Sequence, residues 1–219
     1  MPRRGIGWME GQMAKVEGDK ARLTAIDLIE AQLAALPISA AMILQAGKLG
    51  NAELDTTAAE WMRLRRGRAG VTGSGGNIVA EYAPDEAAPD FDASCRIAEQ
   101  SRERQDDLIR VLLGNALLAV GVFFREYGMA SVRTPEVQFL GHVTDAVLNR
   151  NTFDIGTGYM PTASFDGLVV DHRLDGTPLF DEAERGRGLM AFGDVLALLQ
   201  WLARYLRGER AFISWGDAG

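Results

Sequence analysis

The sequence predicts a mainly α-helical protein with one small β-hairpin before its last helix. Two observations carry that expectation. Apolar residues recur at three- and four-residue steps along most of the chain, and beyond Phe153 the pattern changes to a short β-branched run flanked by turn residues. With 219 residues, 47% of them apolar and 24% charged, the chain has an ordinary globular composition and enough length to bury a substantial core.

Taken in order, residues Asp19–Leu36 read as an amphipathic helix, with Leu23, Ile26, Ile29, Leu33 and Leu36 facing the core. Pro37 should break or restart that helix, because proline lacks an amide donor and clashes with the preceding turn. A further helix is expected over Ala52–Arg66, using Leu54, Ala58, Trp61, Met62 and Leu64. The Gly-rich and then acidic, Pro-containing stretch Gly67–Pro89 resists a packed core and reads as a mobile linker. The expected division is therefore an N-terminal helical segment (1–66), a linker (67–89) and a helical domain (90–219).

From Asp90 to Tyr127 the pattern gives one long helix or two nearly collinear ones, with Asp90 as N-cap and Gly128 as the stop. Its second half, Val111–Phe124, is too short for the roughly 20 apolar residues of a membrane span, so a central helix buried on most sides is expected. Thr134 and Pro135 open the next helix, since proline at the first helical position gives up only an amide that has no partner there. The segment FDGLVVDHRLDGTPLF reads as a β-hairpin, with Asp175-Gly176 as its turn pair. Val195, Leu198, Leu199, Leu202 and Leu206 mark a last amphipathic helix, Phe192–Arg207.

Several chemistries are disfavoured. A net charge of −7 opposes whole-surface attraction to nucleic acid, which leaves local basic patches as the route to it. Cys95, the single cysteine, cannot form an internal disulfide, and it leaves few soft ligands for zinc; a reducing cytoplasm is the expected compartment. No apolar run follows Arg3 and Arg4, so no secretory signal is expected. The glycines of 67–76 lack the Gly-Lys-Ser/Thr ending of a P-loop, and no G-x-S-x-G elbow occurs. Nothing in the sequence calls for a cofactor or a metal.

The stretch Pro135–Phe153 is the most informative. Gln138, His142, Asp145 and Asn149 fall on one helical stripe, while Val137, Leu140, Val143 or Thr144, and Val147 form another. The polar stripe either faces water or lines a groove that Arg150 and Asn151 extend. A histidine beside an aspartate suits acid–base work near neutral pH. A second candidate surface is basic: Arg63, Arg65, Arg66 and Arg68 beside Trp61, with Arg204, Arg207 and Arg210 as another cluster. Such groups suit RNA phosphates and bases, or else complement helix C-termini.

The text FLGHVTDAVLNRNTF, followed by FDGLVVDHRLDGTPLF and a closing helix beginning FGDVLALL, resembles HEPN-domain proteins. In these helical bundles a long apolar helix precedes one of the form FLRHxRNAxxHxNxF. The resemblance spans residues 90 to 207 and implies a HEPN-like bundle. Active members use an Arg, a polar neighbour and a His one turn later to cleave RNA without metal. Those positions fall here on Thr144, Asp145 and Asn149. Thr144 has no guanidinium and Asn149 cannot act as general acid or base. His142 and Arg150 flank the motif but stand eight residues apart, about 80° apart around an ideal helix.

The expectation is therefore a cytoplasmic homodimer, a HEPN-like non-catalytic binding or regulatory module whose groove takes RNA, a nucleotide or a protein. Two alternatives stand beside it. One is a divergent ribonuclease, a toxin or phage-defence effector, acting through His142, Asp145 and Arg150. The other is a structural subunit of a larger complex.

Overall fold

A computed structural model describes residues 6–49, 91–131, 133–158, 160–161, 163–182 and 186–209. Among them are six α-helices and one two-stranded antiparallel hairpin placed before the last helix. The helices are α1 (Ile6–Leu44), α2 (Ala46–Leu49), α3 (Phe91–Glu99), α4 (Arg102–Glu126), α5 (Pro135–Leu148) and α6 (Phe192–Arg207). The strands are β1 (Ala163–Phe165) and β2 (Leu168–Val170). The helix expected over Ala52–Arg66, the linker 67–89 and the N-cap Asp90 lie outside the described residues.

The chain divides into two compact units, Met1–Ala40 with Ile109–Gly219, and Ala41–Leu108. The first holds the main core, where Ile29, Leu36, Leu117, Phe124, Phe139, Leu140, Leu179, Leu198, Leu199 and Leu202 lose essentially all solvent exposure. The second contains a small cluster of Ala46, Cys95 and Ala98, with Leu108 packed against it.

Helix α1 runs through Pro37 without a break. Its missing amide deprives one carbonyl of the preceding turn of its bond, but Pro37 is exposed, so water can satisfy that carbonyl. Core packing of Leu36 and Ala40 on either side holds the helix together. Leu23 is 63% exposed, because the buried stripe runs through Ala21, Ala25, Ile26, Ile29 and Leu36 instead. The far end of α6 is tied to α1: the Arg22 Nε donates to the Leu206 carbonyl, and Arg207 pairs with Glu30.

The Asp90–Tyr127 region resolves into α3 and α4, separated at Gln100 and Ser101. Helix α4 buries one face only. Leu113, Ala116, Leu117, Val120 and Phe124 enter the core, whereas Val111 and Val122 remain 58% and 42% exposed. The expectation of burial on most sides is thus corrected: the apolar run is broader than the stripe one packing face can cover. Gly18–Leu44 and Arg102–Glu126 are each long and apolar enough to cross a membrane by length and composition, a test that core helices of soluble proteins also pass.

The hairpin turn is Asp166-Gly167, not Asp175-Gly176. Both central residues have positive φ (46° and 81°), the backbone of a two-residue type I′ turn that matches strand twist. Asp175 (φ −55°, ψ 128°) and Gly176 (φ 72°) instead make a type II turn, closed by the Thr177 amide donating to the Leu174 carbonyl at 2.9 Å. The two Asp-Gly pairs stand nine residues apart in sequence, and strand pairing of Ala163 with Val170 selects the first. Helix α6 matches its expected bounds and buries all five expected residues. The Asp194 carboxylate accepts the Ala191 amide at 2.7 Å at its start, and Gly208 (φ 74°) ends it.

Candidate functional site

Helix α5 carries the candidate site, and its register follows from packing. Val137, Phe139, Leu140, Val143 and Ala146 are buried, with Phe139 against Phe165 of β1 at 6.0 Å between ring centroids. Thr134 sits at the N-cap with extended backbone and Pro135 follows in the first turn, but the threonine hydroxyl makes no capping bond. The helix stops at Leu148, so Asn149 is its C-cap rather than a member of its last turn.

Thr144, at the position where the resembling motif has its arginine, is wholly buried. Its hydroxyl donates to the Leu140 carbonyl at 2.6 Å. The side chain fills a notch left by Gly121 of α4: a Cβ on Gly121 would stand 2.0 Å from the Thr144 Oγ1 and 2.8 Å from its Cγ2. Glycine is therefore what lets the two helices approach here.

One turn away the surface opens. Arg125, near the end of α4, reaches across to α5, and its Nη2 donates to the Gly141 carbonyl at 2.9 Å and to the Asp145 Oδ1 at 2.6 Å. The pair faces solvent, with Arg125 36% and Asp145 61% exposed. His142 lies half-buried on the same helix. Burial pushes its pKa below the ordinary histidine value; Asp145 opposes that shift, and Arg125 adds to it. A guanidinium, a carboxylate and a neutral imidazole are thereby gathered on one surface. Such a group can pair with an anionic oxygen and take up or release a proton.

The remaining expected residues have local roles. Gln138 is half-buried and donates to the Ala130 carbonyl at 3.4 Å. Asn149 donates to the Thr152 carbonyl at 3.1 Å. Arg150 and Asn151 take positive φ (56° and 62°), and Arg150 is exposed beyond the end of α5, away from the Arg125 pair in the helix sequence. Asn151 braces the loop before α6: its Nδ2 donates to the Phe180 carbonyl (3.0 Å) and the Glu182 Oε1 (2.8 Å), and its Oδ1 accepts the Phe180 amide (2.9 Å). Arg63, Arg65, Arg66 and Arg68 lie outside the described residues, as does Arg210. Arg207 is engaged with Glu30, and Arg204 is exposed.

Arg125 is the residue that sequence reasoning passed over. A search along one helix for an arginine at motif spacing cannot find a guanidinium delivered by the neighbouring helix. Its one signal was position: a basic residue in the last turn of a long apolar helix, just before a glycine stop. No family model, curated protein or solved structure matches the chain.

Proposed function

We propose that the chain is a HEPN-like binding or regulatory module that does not cut RNA, and that the surface around Arg125, His142 and Asp145 is its binding groove for single-stranded RNA. The observation that carries the reading is the burial of Thr144 against Gly121. Where an active member has its arginine, this chain has a core residue, and where it has its histidine, Asn149 caps a helix. Neither can stabilise a phosphorane or move a proton. The order of an apolar helix, the motif helix, a hairpin and a closing helix supports the resemblance.

A homodimer belongs to the same proposal, supported by apolar exposure on the α4 and α5 surfaces at Val111, Val122 and Leu148. Light scattering across a concentration series tests it, and a monomer at every concentration overturns it. One observation favours the second reading, a divergent ribonuclease: Arg125, Asp145 and His142 are gathered at one place. A metal-free RNA-cleavage assay separates the two. The module reading expects no cleavage above background. Robust cleavage by the wild type, abolished in both His142→Ala and Arg125→Gln, overturns it in favour of the nuclease.

A further inference from the structure

We propose that Arg125 is the anion-binding guanidinium of this site, that Asp145 holds it in a competing ion pair, and that a phosphate ester binds by displacing the carboxylate. The proposal rests on the binding-module reading and deepens it, naming the group that meets the ligand and the contact that restrains it.

The first support is the placement of positive charge. The motif's arginine position is buried as Thr144, and Arg150 stands past the end of α5. Arg125 is the cation whose contacts the structure places on the α5 stripe, at Gly141 and Asp145. Burial lowers the pKa of His142 beside it, which favours the neutral imidazole, a group that offers a hydrogen bond rather than a second charge.

The second support is how the guanidinium is held. One nitrogen, Nη2, makes both contacts, to the Gly141 carbonyl and the Asp145 carboxylate. A guanidinium has five N–H donors in a rigid fork. The carbonyl contact keeps the head group in place when the carboxylate swings away, leaving the fork to take two oxygens of a phosphate side by side.

The third support is the ease of that exchange. Both partners face solvent, 36% and 61% exposed, and exposed ion pairs of this kind contribute little. A two-point, charge-assisted bond to phosphate is the stronger contact. Asp145 therefore acts as a weak latch: it neutralises the groove when empty and yields to a ligand that presents two oxygens.

The two partners of one ion pair should then respond with opposite signs. Wild type, Arg125→Gln and Asp145→Asn are titrated at low salt with a fluorescent single-stranded oligoribonucleotide, and separately with inorganic phosphate while the Gly141 and Asp145 amide signals are followed by NMR. Asp145→Asn is expected to bind RNA about two- to fivefold tighter, and Arg125→Gln about tenfold or more weaker. If Arg125→Gln proves unfolded, the sign of the Asp145→Asn change decides. Equal RNA binding by all three proteins overturns the latch and leaves an RNA-binding module that uses another surface. If no protein binds RNA, the module's ligand is wrong, and the phosphate arm decides the latch. Amide shifts that grow in Asp145→Asn and vanish in Arg125→Gln sustain it; shifts alike in all three, or absent, overturn it.

Discussion

Placing the resembling motif's arginine at position 144 should destabilise the fold rather than create a nuclease. In Thr144→Arg a side chain with several more heavy atoms enters a site with no solvent exposure. The notch is already so tight that a single carbon added to Gly121 would stand 2.0 Å from the Thr144 hydroxyl. Overpacking of this kind costs about 1–3 kcal/mol. A buried guanidinium without a partner adds several kcal/mol more. A total loss of about 4 kcal/mol or more is a large part of the roughly 5–15 kcal/mol that holds a typical domain folded. With a urea slope of about 2 kcal/mol/M, the unfolding midpoint falls by about 2 M. Urea unfolding followed by circular dichroism gives the first readout, and RNA cleavage by Thr144→Arg/Asn149→His gives the second. A double variant that keeps the wild-type midpoint and cuts RNA would show that position 144 faces the groove, and the core-packing argument would fail.

Other consequences follow from the same geometry. Because burial holds the His142 pKa below 6.5, the unfolded chain binds the proton more readily, so its stabilising contribution is complete above that pH and is lost as pH falls through the folded value; His142→Gln should flatten the acid side of a stability-against-pH curve, and an unchanged slope refutes this. Asn151→Ala removes three side-chain hydrogen bonds around Phe180 and leaves a residue with a Cβ at φ 62°; a loss of about 2–4 kcal/mol is expected in urea unfolding, and Asn151→Gly should recover only the backbone part. Gly188→Ala would place a Cβ 2.3 Å from the Phe180 carbonyl carbon and must move backbone, whereas Gly193→Ala meets nothing within 4 Å; thermal melts should show a clear loss for the first and little change for the second.

Helix positions and their buried faces were legible where one stripe decides them. In α6 the five apolar residues read from three- and four-residue spacing are the ones that enter the core. In α1 the apolar residues are too numerous for spacing to choose among stripes. Leu23 therefore looked like core, although Ala21 and Ala25 take that face. The hairpin was readable as an element but not in its register. Two Asp-Gly pairs offered turns, and only cross-strand pairing of Ser164 with Val169 and Phe165 with Leu168 settles which one closes the ladder. Two of the three residues of the candidate site were legible: His142 and Asp145 share a helix face by spacing alone. Arg125 was not, since its approach depends on the close packing of α4 on α5 through Gly121.

The resembling text in α5 and the turn after it has two kinds of residue, and the structure assigns them different work. Phe139, Leu140, Ala146 and Phe153 agree with the motif, and each is at most 2% exposed. Asn151 agrees as well, and its side chain is spent on Phe180 and Glu182. These residues explain the likeness by packing and bracing, so the likeness speaks to architecture and not to chemistry. Of the departures, Thr144 and Asn149 fall where the motif keeps its Arg and His, and each has a structural use of its own. His142 fits neither class. It agrees with the motif, yet it is half-buried rather than in the core, and it lies on the surface where Arg125 meets Asp145. A half-buried histidine beside a guanidinium carried in from another helix gives this face acid–base and anion-pairing groups that Thr144 and Asn149 do not supply.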